Sequence, residues 1–235
     1  MALISGPALR FTSVKNRTNY ARLCQLLVSI GSRVLEGTFN RIIPPKNLES
    51  VLKRHPAHSK LQSLRKEGIL DTMQWRKLYP AVPSLSSPGF DPALLMILLR
   101  TVCNLSPPSA GWDAPPLSAD TSCESDIARV KYFVNAVSNY AAETSVSDEM
   151  FTYYWQQIRN TLVRLGGAGY EVGIDEMENQ EMDPLDEEHF IELLKQWKSA
   201  EDGIKEKLNE VERVLQCSKK EGEFVAVYTW PTVTI

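Results

Sequence analysis

Apolar positions along this chain recur at alternating spacings of three and four, the mark of helices that bury one face. The most regular stripe runs through Cys123, Ile127, Val130, Val134, Val137 and Ala141. It predicts about five turns of helix between Asp120 and Ala142, opened by a capping box of Thr121 with Glu124. Tyr20, Leu23, Leu27, Ile30 and Val34 draw an earlier stripe, capped by Thr18 or Asn19 and stopped at Pro44-Pro45. Residues 1–17 show no period and are expected to be a loose terminus.

Short helices are predicted at Leu48–Leu52 and Lys60–Lys66, the second closed by Gly68 in a left-handed conformation. Thr72 is expected to cap a further turn carrying Trp75 and Leu78. Asp91-Pro92 reads as an N-cap followed by proline at the first helical position. Ala93 to Leu105 is apolar almost all round, as in a helix sunk inside a bundle. The proline-rich stretches Pro83–Gly89 and Ser106–Leu117 are loops, and Trp112 in the second is expected to plug the core. Ser145 or Ser147 opens a helix with Phe151, Trp155, Ile158, Leu162 and Leu165 on one side, ended by Gly166-Gly167.

Asp183-Pro184 repeats the cap-and-proline start. Phe190, Leu194, Trp197, Ile204, Leu208, Val211 and Leu215 then keep heptad spacing with one gap, at Glu201. Such a seam packs into the chain's own core or meets a partner helix. The tail Phe224–Ile235 alternates weakly, as a short strand or an irregular end. The fold class is therefore all-α: a helical domain over 18–200, a continuation of the last helix over 201–216, and a tail over 217–235.

Composition adds a size and a compartment. With 235 residues, 43% apolar and 23% charged, the chain can bury a substantial core. No run approaches the roughly 18 apolar residues that span a bilayer, and the start lacks a basic region ahead of a long apolar one. Cys24, Cys103, Cys123 and Cys217 form no Cys-x-x-Cys pair and are expected to be buried, reduced thiols in a cytoplasmic protein. The Asn-x-Ser/Thr matches at Asn16 and Asn104 carry little weight in that setting.

Charge changes the picture more. Residues 1–66 hold twelve Lys or Arg and two acids, whereas residues 171–188 hold nine Asp or Glu and no Lys or Arg. A basic segment can meet phosphates, and it can equally face an acidic segment of its own or a neighbouring chain. Two further features have the outline of chemistry but lack its parts. His55 and His58 are spaced for one metal if helical, but Pro56 favours a turn and no other ligand completes a site, so two exposed loop histidines are expected. Gly166-Gly-Ala-Gly169 follows a helix and lacks the Lys-Ser/Thr ending of a phosphate loop. No cofactor or metal is called for.

Several uncommon blocks in order carry a resemblance. They are Asn19-Tyr-Ala-Arg-Leu23, Pro44-Pro45, Gln74-Trp75, Leu78-Tyr-Pro80, Phe90-Asp91, Leu105-Ser-Pro-Pro108, Gly111-Trp-Asp113, Asp126-Ile-Ala-Arg129 and Leu165-Gly-Gly167. Together they resemble a HEPN-type helical domain over about Asn19 to Lys198. The subtype is that of the DAZ-interacting zinc-finger ubiquitin ligase and of innate-immunity-like animal proteins. The resemblance implies a metal-independent ribonuclease ancestry, with a signature of Arg, a polar residue, about four residues, then His, on a core helix paired across a dimer. Here Val134 stands where the Arg would be and Tyr140 where the His would be; Asn135 alone fits. Valine offers no charge to a phosphate, and a phenol, with a reference pKa of about 10, is a poor general base at neutral pH. The expectation is a non-catalytic HEPN-like module without catalytic residues, forming a homodimer or pairing with another helical protein. RNA binding without cleavage is the alternative, and an active ribonuclease a more distant one.

Overall fold

The computed structural model describes residues 7–80 and 89–203. Its first helix begins well before the predicted cap and runs unbroken in three segments: α1 (Pro7–Gln25), a π-helical turn (Leu26–Gly31) and α2 (Ser32–Ile42). Residues 7–17 are thus helical rather than loose, and Thr18 and Asn19 are mid-helix, not caps. The reason is tertiary. Lys15 pairs with Asp148 at 2.5 Å, Arg17 with Glu187 and Glu188 at 3.1 and 2.7 Å, and Thr18 donates to Glu187 at 2.6 Å. Asn19 donates to the Val146 carbonyl and to Asp148. The π turn adds a residue to one turn and so rotates the apolar stripe. It buries Leu26, Leu27, Ile30 and Gly31.

Three short helices follow: α3 (Pro45–Lys53), α4 (Ala57–Lys66) and α5 (Thr72–Leu78). Gly68 takes the left-handed conformation expected of it, φ +72°. The cap of α5 is Asp71 rather than Thr72: Asp71 accepts from the Gln74 amide at 2.7 Å, and Gln74 answers by accepting from the Asp71 amide. In α6 (Pro92–Thr101), Asp91 caps the Leu94 amide at 2.8 Å and every residue from Ala93 to Leu99 is buried. This helix stops four residues short of Leu105, and Asn104 turns the chain with φ +55°.

The anchor helix α7 (Cys123–Ser138) is capped by Ser122, not by Thr121 with Glu124, because Ser122 Oγ accepts from the Ser125 amide. After α8 (Asp148–Gly166), capped by Ser147, Gly167 at φ +97° leads through a 3-10 turn (Ala168–Tyr170) into α9 (Glu171–Asn179). Helix α9 has no clear stripe in sequence; it is held by the buried Ile174 and by Arg159, which pairs with Glu171 at 2.8 Å and Asp175 at 2.5 Å. The last helix, α10, covers 184–203 of the described residues.

The chain is all-α, and the described residues contain no strand. Tyr20, Leu23, Phe39, Leu94, Leu98, Val130, Val134, Trp155, Ile158 and Leu162 close one continuous core. Ile191, Leu194 and Trp197 join it, so the described part of the heptad seam faces its own chain. The seam from Ile204, Cys217 and the tail lie outside the described residues. No described helix is long and apolar enough to cross a membrane.

The end of α8 packs so closely that a Cβ on Gly166 would lie 2.8 Å from both Val34 Cγ2 and the Tyr170 ring. Gly166→Ala is therefore expected to cost about 1–3 kcal/mol by overpacking, read as a lowered urea midpoint.

Candidate functional site

The signature positions sit on α7, whose surroundings decide what they can do. Its buried side is not only apolar. Asp126, with a 2% exposed side chain, receives Arg129 Nη1 at 2.6 Å from its own helix. It also receives Arg164 from α8, through Nε at 3.0 Å and Nη2 at 2.7 Å. That hydrogen bonding raises the pKa of the Arg164 guanidinium further above its ordinary value, against the effect of its burial. Arg129 spends its remaining donors on the carbonyls of Leu117 and Asp120, fastening the proline-rich loop to the helix.

Lys131, two residues on, is also buried. It meets Asp113 at 2.7 Å and Glu201 of α10 at 3.4 Å. Asp113 accepts in addition from Arg100 at 3.2 and 3.4 Å, and Arg100 in turn lies over the Trp112 ring. Burial alone would push the Asp113 carboxyl up, but the hydrogen bond from Lys131 and the charge of Arg100 outweigh it and hold it below the ordinary carboxylate range. For Glu201 burial wins over the attraction of Lys131, and its carboxyl is raised.

Within this frame the structure separates the three signature positions. Val134 has no exposed surface and belongs to the core of its own chain. Asn135 is half-buried and borders a cavity of about 30 Å³ with Trp112, Asp113, Pro115 and Tyr132. Tyr140 lies beyond the C-cap Asn139, its ring edge-on to Tyr154 at 6.1 Å. Tyr154 touches Tyr153 at 5.4 Å, and burial together with the nearby phenols of Tyr140, Tyr132 and Tyr153 pushes its hydroxyl up to about 12. The end of the signature helix thus carries a group of tyrosines, and the described cations of α7 are all held by carboxylates.

The other sequence candidates fall elsewhere. His55 is exposed, whereas His58 is not the exposed loop residue expected. It lies in α4, partly buried, with Nδ1 3.0 Å from the Tyr79 hydroxyl, which itself donates to the Leu52 carbonyl at 2.8 Å. Burial pushes the Tyr79 hydroxyl up to about 12. Cys24, Cys103 and Cys123 are free thiols; burial raises the first two to about 12. Trp112 is half-buried against the core, as a plug would be.

The acid–base frame of α7 was missed in the sequence, although two signals for it exist there. Asp126 and Arg129 stand at the i, i+3 spacing of a helical ion pair. The gap at Glu201 marks a charged residue where the seam calls for an apolar one.

An all-α bundle wrapped around one buried, ion-paired helix is the class of protein that fold and site define. The chain belongs to the DZIP3/hRUL138-like HEPN family, whose model matches residues 45–190. It is 26% identical to mouse (Mus musculus) E3 ubiquitin-protein ligase DZIP3 over 153 residues, and 25% identical to the human (Homo sapiens) one over 150. Each match covers 63% of this chain and 12% of the relative's length. No solved structure matches the chain.

Two measurements follow from the frame. Asp126→Asn leaves two guanidiniums facing a neutral amide; since Arg164 is partly exposed, a loss of about 3 kcal/mol is expected in urea unfolding, at the lower end for a broken buried pair. The depressed Asp113 carboxyl contributes stability that is fully present above its unfolded value and lost as pH falls through the folded one. Asp113→Asn should therefore flatten the fall in stability below about pH 4, followed by urea midpoints across that range.

Proposed function

We propose that this chain is a non-catalytic HEPN-like module, a pseudo-ribonuclease domain, that acts by pairing with itself or with another helical protein. The observation that carries this reading is the fate of the signature helix. Where the family's chemistry needs an arginine at the surface, Val134 is sealed in the core. Metal-independent RNA cleavage needs a free cation to hold the phosphate and a group that exchanges protons near neutrality. Arg129 and Lys131 are occupied by Asp126, Asp113 and Glu201, and the His position carries a phenol.

What remains at the end of α7 is suited to contact rather than chemistry. Tyrosines with partly exposed rings supply rigid amphipathic area of the kind enriched in protein interfaces. The relatives are ubiquitin ligases, and the chain matches 12% of their length. Its role in such a setting, or in an innate-immunity-like one, is that of a recruiting or assembling part in the cytoplasm.

The test is cleavage of single-stranded RNA without metal by the wild-type chain. Background rates are expected, because positioned acid–base catalysis alone is worth about a hundred- to ten-thousand-fold. Activity that co-purifies with the protein through several columns would overturn the reading. Restoring the signature is not expected to restore activity: Val134→Arg places a guanidinium in a fully buried site and should unfold the chain, seen as loss of the cooperative thermal transition.

A further inference from the structure

Folding divides the charge asymmetry of the sequence into charges that are used internally and charges that are left over. Four cations of the first helix are used: Lys15 meets Asp148, Arg17 meets Glu187 and Glu188, and Arg22 and Arg41 donate to the carbonyls of Gln180 and Leu165. In α3–α5 only some are: Lys53 pairs with Glu49 at 2.6 Å and Lys77 with Asp91 at 3.3 Å. Lys46, Arg54, Lys60, Lys66 and Arg76 are exposed, and no carboxylate of the described residues pairs with them.

They stand on a braced scaffold, because Arg65 of α4 lies 4.6 Å over Trp75 of α5, and Tyr79 packs on Trp75 at 4.4 Å. On the acidic side, Arg159 takes Glu171 and Asp175, and Arg17 takes Glu187 and Glu188. Glu176, Glu178, Glu181 and Asp186 have no partner among the described residues. Each surface also presents apolar area, Met73 at 62% exposure on one, Val172 at 66% and Leu185 at 83% on the other.

We infer that the basic face of α3–α5 binds the acidic surface of α9 and the start of α10 on a second copy of this chain, in a head-to-tail contact. It rests on the interaction-module reading and gives that module a partner and a surface distinct from the tyrosine end of α7. Opposite charge on two separate surfaces of one molecule is self-complementary between copies. No ion pair of the described residues joins the two surfaces within a chain. Because the two surfaces differ, the contact is heterologous and repeats into a ring or a filament. A nucleic acid would match only one of the surfaces. It would also find the Trp75 face covered by Arg65 and packed by Tyr79, where stacking on bases needs an open ring.

The experiment is light scattering on the full chain at about 0.05 M and about 0.5 M salt, conditions between which screening removes most long-range attraction. Mass above the monomer is expected at low salt, with association weaker by about tenfold or more at high salt. Arg54→Glu/Lys60→Glu/Lys66→Glu and, separately, Glu176→Lys/Glu178→Lys/Glu181→Lys should each keep the wild-type circular dichroism and each stay monomeric. Mixed in equal amounts, the two variants should associate again, since each then meets the opposite charge. A mixture that stays monomeric overturns the inference. So does wild-type association that is equal at both salts and unaffected by either variant, although that result leaves the interaction-module reading standing with an apolar interface. A wild-type chain that stays monomeric yet retains single-stranded RNA, with retention lost in the basic-face variant, also overturns it and assigns the face to nucleic acid.

Discussion

A carboxylate sunk in a helical core has to be answered by cations, and the geometry around Asp126 follows from that requirement. Arg129 answers from the same helix and Arg164 from α8, so one buried charge fixes the start of α7 against the end of its main packing partner. Arg129 then uses its spare donors on the loop carbonyls of Leu117 and Asp120. A proline-rich stretch with no regular structure of its own is thereby held to the helix. Lys131 repeats the arrangement one half-turn further on, tying the Asp113 loop and α10 to the same element. Such pairs are weak sources of net stability but costly to break, because removal of one partner strands the other in a poorly solvated place.

This commitment of charge to structure bears directly on chemistry. A phosphate-handling site needs a cation whose donors are free and aimed at solvent. The described cations of α7 face inward and are satisfied. Val134 continues the apolar stripe across the position where the family signature places charge. The tyrosines at the helix end, with the Tyr154 hydroxyl raised by burial and its neighbours, add aromatic contact area there.

Elsewhere the same rule leaves a residue of opposite outcomes. Lys15 and Arg17 of α1 found carboxylates because the first helix runs beside the 183–188 segment and the start of α8. Lys46, Arg54, Lys60, Lys66 and Arg76 of the α3–α5 region did not, because these short helices pack through Leu48, Leu52, Leu61 and Leu78 with their polar sides outward. One basic segment in the sequence is thereby divided between charges paired inside the chain and charges left at its surface.

Helix existence was legible from local pattern wherever a stripe was strong, as in α6, α7 and α8, and the caps at Asp91 and Ser147 were legible from residue type. The caps at Ser122 and Asp71 each moved by a single residue, because several neighbouring polar side chains can fill such a place and packing selects among them. Helix α1 before Thr18, and α9, carry little periodicity. They are held by partners more than a hundred residues away, or by Arg159 across a turn, and no local window contains those partners. The departures from the family signature at Val134 and Tyr140 are legible from residue identity alone. That Val134 is sealed, that Lys131 is paired, and that Glu201 interrupts an apolar seam in order to meet it depended on which elements come together. Burial and ion pairing are properties of neighbours in space, and the order of residues along the chain specifies them only through the completed fold.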